Sequence, residues 1–299
     1  MPVSEAGPAA WRRWVLAARL PTLTAAVAPV LVGSGLAVGD DRFAAGPALA
    51  ALAGAVAIQV GANLANDVSD FRKGADAAGR IGPPRVTQLG LLSERQVLAG
   101  MWTAFSVAAL CGVYLTAVAG WPVVAIGLAS IAAALAYSGG PWAFGYRGLG
   151  EPFTFVFFGL IAVGGTYYVQ AGDWGGGALA AALPVGCTVT AILVVNNVRD
   201  IETDRATGKR TLAVIVGRRW ARALFAALLG GAYALTAALW LAGPFEPGVL
   251  LVAAALPLAA RPRLAVLRAT DGPPLNRALR ETARFHLLFS ALLALGVAL

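Results

Sequence analysis

Two short stretches hold most of the residues able to do charged chemistry. The first is NLANDVSDFRKGAD, residues 63–76, and the second is NNVRDIETDRATGKRT, residues 196–211. On a helix Asn66 and Asp70 fall four apart and share a face, as do Asn196, Asp200 and Asp204. Asp67, three before Asp70, joins the first of these surfaces. Both stretches read Asn-x-x-x-Asp, offset by 130 residues. Carboxylates gathered in an apolar chain need something positive to compensate them. Magnesium is the natural compensator, because it is hard, prefers oxygen and bridges a few carboxylates to a phosphate. With one histidine and two cysteines in the chain, zinc, copper and iron fit poorly. Beside the acids stand Arg72, Lys73, Arg80, Arg85, Arg205, Lys209 and Arg210. A metal that screens charge, with Arg and Lys donors around it, is what a diphosphate leaving group needs as its carbon–oxygen bond breaks. The plain alternative is a pair of solvated polar loops, which would have no reason to repeat one spacing at two helix ends.

The elements that carry these clusters are apolar. The chain is 59% hydrophobic and 13% charged, against about 25% charged for a soluble domain. Residues 20–39, 43–66, 96–119, 122–146, 152–172, 174–198 and 223–245 contain no Asp, Glu, Lys or Arg. Each is near or above the roughly 20 residues that cross a bilayer. Residues 247–260 and 285–299 are shorter and reach that length if Arg261, Arg263 and Arg284 extend to the interface. This pattern predicts nine spans in an all-α membrane bundle, forming a single domain over residues 1–299 with no secretory leader.

Sorting the charges by loop gives an orientation. Every Lys and Arg except Arg42 falls on one side of these nine spans. The positive-inside rule makes that side cytoplasmic, and the two acidic clusters lie on it, at the ends of the second and sixth spans. The net charge of +8 is therefore topological, with attraction to anionic lipid, and does not point to nucleic acid. Trp121 and Trp174 sit in short opposite-side turns where interfacial aromatics belong. Cys111 and Cys187 lie within spans and are expected to be inert packing residues. His286, near the start of the last apolar segment, is expected to pack at an interface.

Several stretches together resemble one family, the UbiA-type intramembrane prenyltransferases. They are AARLPTLTAAVAPVLVGSGLA (17–37), the first acidic cluster followed by GRIGPPRVTQLG (79–90), GYRGLGE (145–151), and the second cluster continuing to Gly217. KGAD paired with GPPRVTQ is similar to the branch that uses 1,4-dihydroxy-2-naphthoate as acceptor. Gly74 stands where the family usually has a third Asp, and Asp76 supplies an acid two residues later. The resemblance implies that Asn66, Asp67, Asp70, Asn196, Asp200 and Asp204, with Asp76, hold magnesium and through it the diphosphate. It implies that Lys73 and Lys209 contact the diphosphate, with Arg85 and Arg205 beside them, and that Asn63 supports Asp67. Tyr137 and Tyr146 would flank the allylic cation or the acceptor, as aromatic faces stabilise cations. Arg85 or Arg147 would fork onto the carboxylate of the acceptor.

The expectation is therefore a multi-pass plasma-membrane enzyme with a central cavity open to the cytoplasm and to lipid. It would move a polyprenyl group from its diphosphate onto dihydroxynaphthoate, releasing diphosphate and carbon dioxide and giving demethylmenaquinone. No Ser–His or Cys–His arrangement suggests a covalent intermediate. Two alternatives remain at this stage. One is another acceptor, such as 4-hydroxybenzoate or a tetrapyrrole. The other is a secondary transporter, against which stand the nearly charge-free span interiors.

Overall fold

The computed structural model describes residues 9–74, 82, 85–270 and 272–299. Among these residues the chain is helical, beginning with a short helix, α1 (Ala10–Ala18), that carries Arg12 and Arg13. Nine apolar segments follow: α2 (Leu20–Gly39), α3 (Ala45–Arg72), α4 (Glu94–Ala119), α5 (Pro122–Ala136), α6 (Gly150–Ala171), α7 (Gly176–Ala206), α8 (Leu212–Ala242), α9 (Pro247–Arg268) and α10 (Gly272–Ala298). Eight are long and apolar enough to cross a membrane, and α5 is a shorter apolar helix. The chain is a multi-pass membrane protein.

The order of segments matches the nine-span expectation, but several boundaries differ. The charge-free run 122–146 is not one helix. α5 stops at Ala136, and a loop with one 3-10 turn at Phe144–Tyr146 leads into α6. The stretch between holds Ser138, Gly139, Gly140 and Pro141, a composition that breaks helices whatever its charge. The opposite error occurs at the acidic clusters. α3 continues to Arg72 and α7 to Ala206, so both clusters lie on the last turns of long helices. α10 likewise starts thirteen residues before the charge-free run at 285, which places His286 mid-helix. It is fully buried and shares a 2.8 Å hydrogen bond with Thr188. The interfacial expectation for His286 is thus replaced by a core position. Both cysteines are free.

Local sequence explains the ends that matter. Ser93 and Gln96 form a capping box that starts α4. The Arg72 guanidinium, on the last residue of α3, donates to Glu94 at 2.7 Å and ties the two helices at this end. α7 is the centre of the bundle, with 72% of its apolar window buried, against 22% for α4 on the outside. α8 packs along α7, and α2 packs against α10. α6 contains a π-helical stretch, Phe155–Ile161, where Gly159 meets α7. A Cβ there would sit 2.7 Å from the Gly186 Cα, so only glycine allows the two backbones to approach so closely.

Candidate active site

The two acids near the end of α3 are buried, although Phe71 and Arg72 beside them are exposed. Asp67 is 1% exposed; its Oδ1 accepts from the Thr87 backbone N–H at 3.2 Å, and Arg19 lies 3.6 Å from its Oδ2. Asp70 is 3% exposed, and Arg85 Nη2 donates to its Oδ2 at 2.5 Å. The Tyr146 hydroxyl donates to Asp70 Oδ1 at 2.8 Å. Asn66 Oδ1 accepts from the Ser138 hydroxyl at 2.7 Å. Asn63, one turn earlier, donates to the Ala18 carbonyl and to the Thr22 hydroxyl, both at 2.8 Å. Asn63 thus ties the end of α1 and the start of α2 to α3, one turn before Asp67.

The last turns of α7 are arranged differently. The buried Arg199 donates to both carboxylate oxygens of Asp200, at 2.8 and 2.6 Å. It also donates to Asn196 Oδ1 at 2.8 Å and to Asn276 of α10 at 2.9 Å. Asp204 is 8% exposed; Lys209 Nζ stands 3.7 Å from its Oδ1, while its buried Oδ2 has no hydrogen-bond partner.

Tyr146 joins the two halves. Lys73, just past α3, places its Nζ 4.4 Å from the centre of the Tyr146 ring, and Lys209, just past α7, places its own 5.2 Å away. The Arg210 N–H donates to the Tyr146 carbonyl at 3.1 Å. Burial, then the adjacent Asp70, push the Tyr146 phenol well above its ordinary range, so it stays a donor. Lys209 is near enough to act on both Asp70 and Asp204, and those two acids act on each other. The clusters predicted from spacing therefore face one another across one tyrosine.

Other expected residues are not brought in. Arg205 is exposed and pairs with the exposed Glu202 at 3.1 Å rather than with the acids of the cluster. Arg147 is exposed and lies over the Trp142 ring, 5.5 Å from its centre. Tyr137, by contrast, is brought in: it is edge-on to Phe144 at 5.5 Å and close enough to Asp70 and Asp204 to feel their charge. Asp76 and Arg80 lie outside the described residues. Sequence reasoning missed Arg19 and Arg199, which it counted only as topology, together with Ser138, Thr87 and Glu151. Glu151 had a legible signal, since it is the lone acid between Glu94 and Asp173.

Whether these groups suit magnesium is answered by their chemistry. The donors are all oxygen, and Asp204 Oδ2 is a buried acceptor still lacking a donor. Among the described residues no three acids come within reach of one ion. That agrees with the usual habit of magnesium, which takes one or two carboxylates and completes its shell with substrate phosphate and water. The residues fit the ion.

Residues 26–293 match the UbiA prenyltransferase family. The chain belongs to that family. Among similar curated UbiA-family sequences is the 1,4-dihydroxy-2-naphthoate octaprenyltransferase of Mycobacterium tuberculosis. It is 41% identical over 288 residues, 96% of this chain and 97% of that protein. The Escherichia coli protein of the same name is 35% identical over 95% of this chain and 94% of its own length. Among solved structures, a UbiA homolog from Archaeoglobus fulgidus bound to DMAPP and Mg2+ superposes with a TM-score of 0.64. It covers 94% of this chain and 99% of that one at 14% identity. An apo UbiA homolog from Aeropyrum pernix K1 gives 0.65 at 16% identity, covering 91% of this chain and 96% of its own. The fold is thus shared at low sequence identity, and the prenyltransferase assignment stands on the sequence match.

Proposed function

We propose that this prenyltransferase moves a polyprenyl group from an allylic diphosphate to 1,4-dihydroxy-2-naphthoate in menaquinone biosynthesis. The observation that carries this reading is the full-length similarity to dihydroxynaphthoate prenyltransferases, joined to two facing Asn/Asp clusters around Tyr146. Asn66, Asp67 and Asp70 on one helix and Asn196, Asp200 and Asp204 on the other would hold magnesium, with Asp76 an additional candidate. Bound magnesium would screen the diphosphate and stabilise the charge that develops on it as it leaves. Lys73 and Lys209, held over one ring, present ammonium groups from both sides to the same anion. Arg85 supplies a guanidinium beside them, and Tyr137 and Tyr146 offer ring faces to an allylic carbon that gains positive charge.

In the transfer, the ring carbon bearing the carboxylate bonds to the terminal prenyl carbon. The carbon–oxygen bond to diphosphate breaks, and its electron pair leaves with diphosphate. The bond to the carboxylate then breaks, its pair restores the aromatic ring, and carbon dioxide departs. The acids lie at helix ends, so the diphosphate would sit at the cytoplasmic interface of the plasma membrane while the isoprenoid tail stays in hydrocarbon. Incubating purified protein with farnesyl or longer diphosphate, dihydroxynaphthoate and magnesium tests this directly. A decarboxylated prenylated naphthoquinol, identified by mass, is the expected product. Preferential prenylation of 4-hydroxybenzoate would move the chain to another branch of the family.

A further inference from the structure

Glu151 lies in the first turn of α6 and is 5% exposed. Its Oε1 accepts from the Asn197 side chain at 2.9 Å, yet its buried Oε2 has no hydrogen-bond partner. A buried carboxylate held only by the Asn197 amide and its own backbone N–H, with no cation beside it, is costly to keep in an apolar bundle. Its location is informative. Tyr137 packs against Gly150, the residue before Glu151, and is close enough to Glu151, Asp70 and Asp204 to feel all three charges. From Tyr137 a series of rings runs along α6. Phe144 stacks on Phe153 with centres 4.1 Å apart, and Phe153 stacks on Phe157 at 6.0 Å.

A hydrogen-bond acceptor at the end of an aromatic wall suits a flat ring that carries a donor. Neither end of the prenyl substrate fits that description. The isoprenoid tail has no donor, and the diphosphate is an anion that the Glu151 carboxylate repels. Resting on the function proposed above, we propose that Glu151 is an acceptor-binding residue whose Oε2 accepts a hydrogen bond from a ring hydroxyl of the naphthoate. This bond orients the ring with its own carboxylate turned away from Glu151. It also strengthens as the ring gives electron density to the prenyl carbon and its hydroxyl becomes more acidic, so it favours the transition state as well as binding.

The test pairs a substitution with altered acceptors. Glu151→Gln keeps the length of the side chain and an oxygen for Asn197, but turns the free atom from acceptor into donor. Wild type is expected to use at least one of the two monomethyl ethers of dihydroxynaphthoate roughly tenfold less efficiently than the parent, as one hydrogen bond to a charged group implies. In Glu151→Gln that preference should fall below about threefold. The acceptor KM should rise and the KM for prenyl diphosphate should stay within about twofold. Glu151→Asp, which keeps an acceptor on a shorter arm, should raise the acceptor KM while still discriminating against the ether, and it carries the test if the Gln variant does not fold. Unchanged discrimination in Glu151→Gln overturns the role. So does a raised KM for prenyl diphosphate with a normal acceptor KM, which would leave Glu151 only the task of holding Asn197. A wild type that turns over no dihydroxynaphthoate overturns the proposed function itself, a result distinct from either.

Discussion

The two acidic helix ends carry the same Asn-x-x-x-Asp spacing and are held in opposite ways. On α3, Asp67 and Asp70 are gripped by groups from elsewhere in the chain: Arg19, Thr87, Arg85 and Tyr146. On α7, Asp200 is gripped by Arg199, its own neighbour in sequence, and Asp204 by Lys209, five residues on. The first end is fixed by tertiary structure, and the second largely by its own helix. One consequence is that Asp204 retains a buried oxygen without a donor, whereas both oxygens of Asp70 are engaged. On the proposed function, Asp204 would then be the acid with the most freedom to complete a ligand shell, beside a more fully engaged α3 end.

If the two ends work as one site despite this difference, removing an acid from either should be equally severe. Asp70→Ala and Asp200→Ala are each expected to lower turnover by on the order of 10²-fold or more, as for loss of a main electrostatic stabiliser. Chelation of divalent metal should do the same. Assays on membranes with matched protein levels check this, and a variant within a few-fold of wild type would break the symmetry. Removing the cations should instead separate the ends. Arg85→Ala leaves a buried Asp70 without its charge partner and should cost about 3–5 kcal/mol of stability. Lys209→Ala should cost less, because its 3.7 Å contact is not a close hydrogen bond. Thermal unfolding in one detergent would rank them, and the reverse order would show that the α7 end is the rigid one.

The tyrosine between the ends sharpens the comparison further. Tyr146→Phe keeps the ring under Lys73 and Lys209 and deletes only the donor to Asp70. A hydrogen bond to a charged group contributes about 1.5–3 kcal/mol, so activity should fall by roughly ten- to a hundredfold. Tyr146→Leu also removes the ring face from both ammonium groups and should fall further. Equal activity in the two variants would mean that the ring does not help to align the lysines.

The architecture was legible because lipid imposes simple rules. Charge-free runs gave the order of nine segments, and the repeated spacing at Asn66/Asp70 and Asn196/Asp200 pointed to the two helix ends that the fold brings together. Boundaries were less legible because absence of charge is not the same as helicity. Gly139, Gly140 and Pro141 end the run after α5, while charged residues 67–72 and 199–206 continue helices past the apolar stretch. The partners of the acids were the least legible. Arg19 is 48 residues from Asp67, and Glu151 is 46 residues from Asn197, and neither separation follows a helical period. Arg199 shows the opposite difficulty: adjacent to Asp200, it looked like one more cytoplasmic arginine until its burial set it apart from Arg205.

That last contrast yields the smallest expected effect. Arg199 and Arg205 lie six residues apart on one helix and carry the same charge. Arg199 is fully buried against Asp200, Asn196 and Asn276, whereas Arg205 is exposed and meets Glu202, itself exposed. An exposed pair three residues apart on a helix contributes about 0–1 kcal/mol and weakens with salt. Arg205→Ala should therefore change stability by less than about 1 kcal/mol and turnover by less than about twofold. The measurement is steady-state kinetics with prenyl diphosphate varied at fixed acceptor, at low and high ionic strength. A tenfold rise in KM for the diphosphate at low salt would show that Arg205 turns inward when substrate binds. The α7 end would then gather cations around its ligand as well as acids, and the contrast with the more fully engaged α3 end would be larger than the resting structure displays.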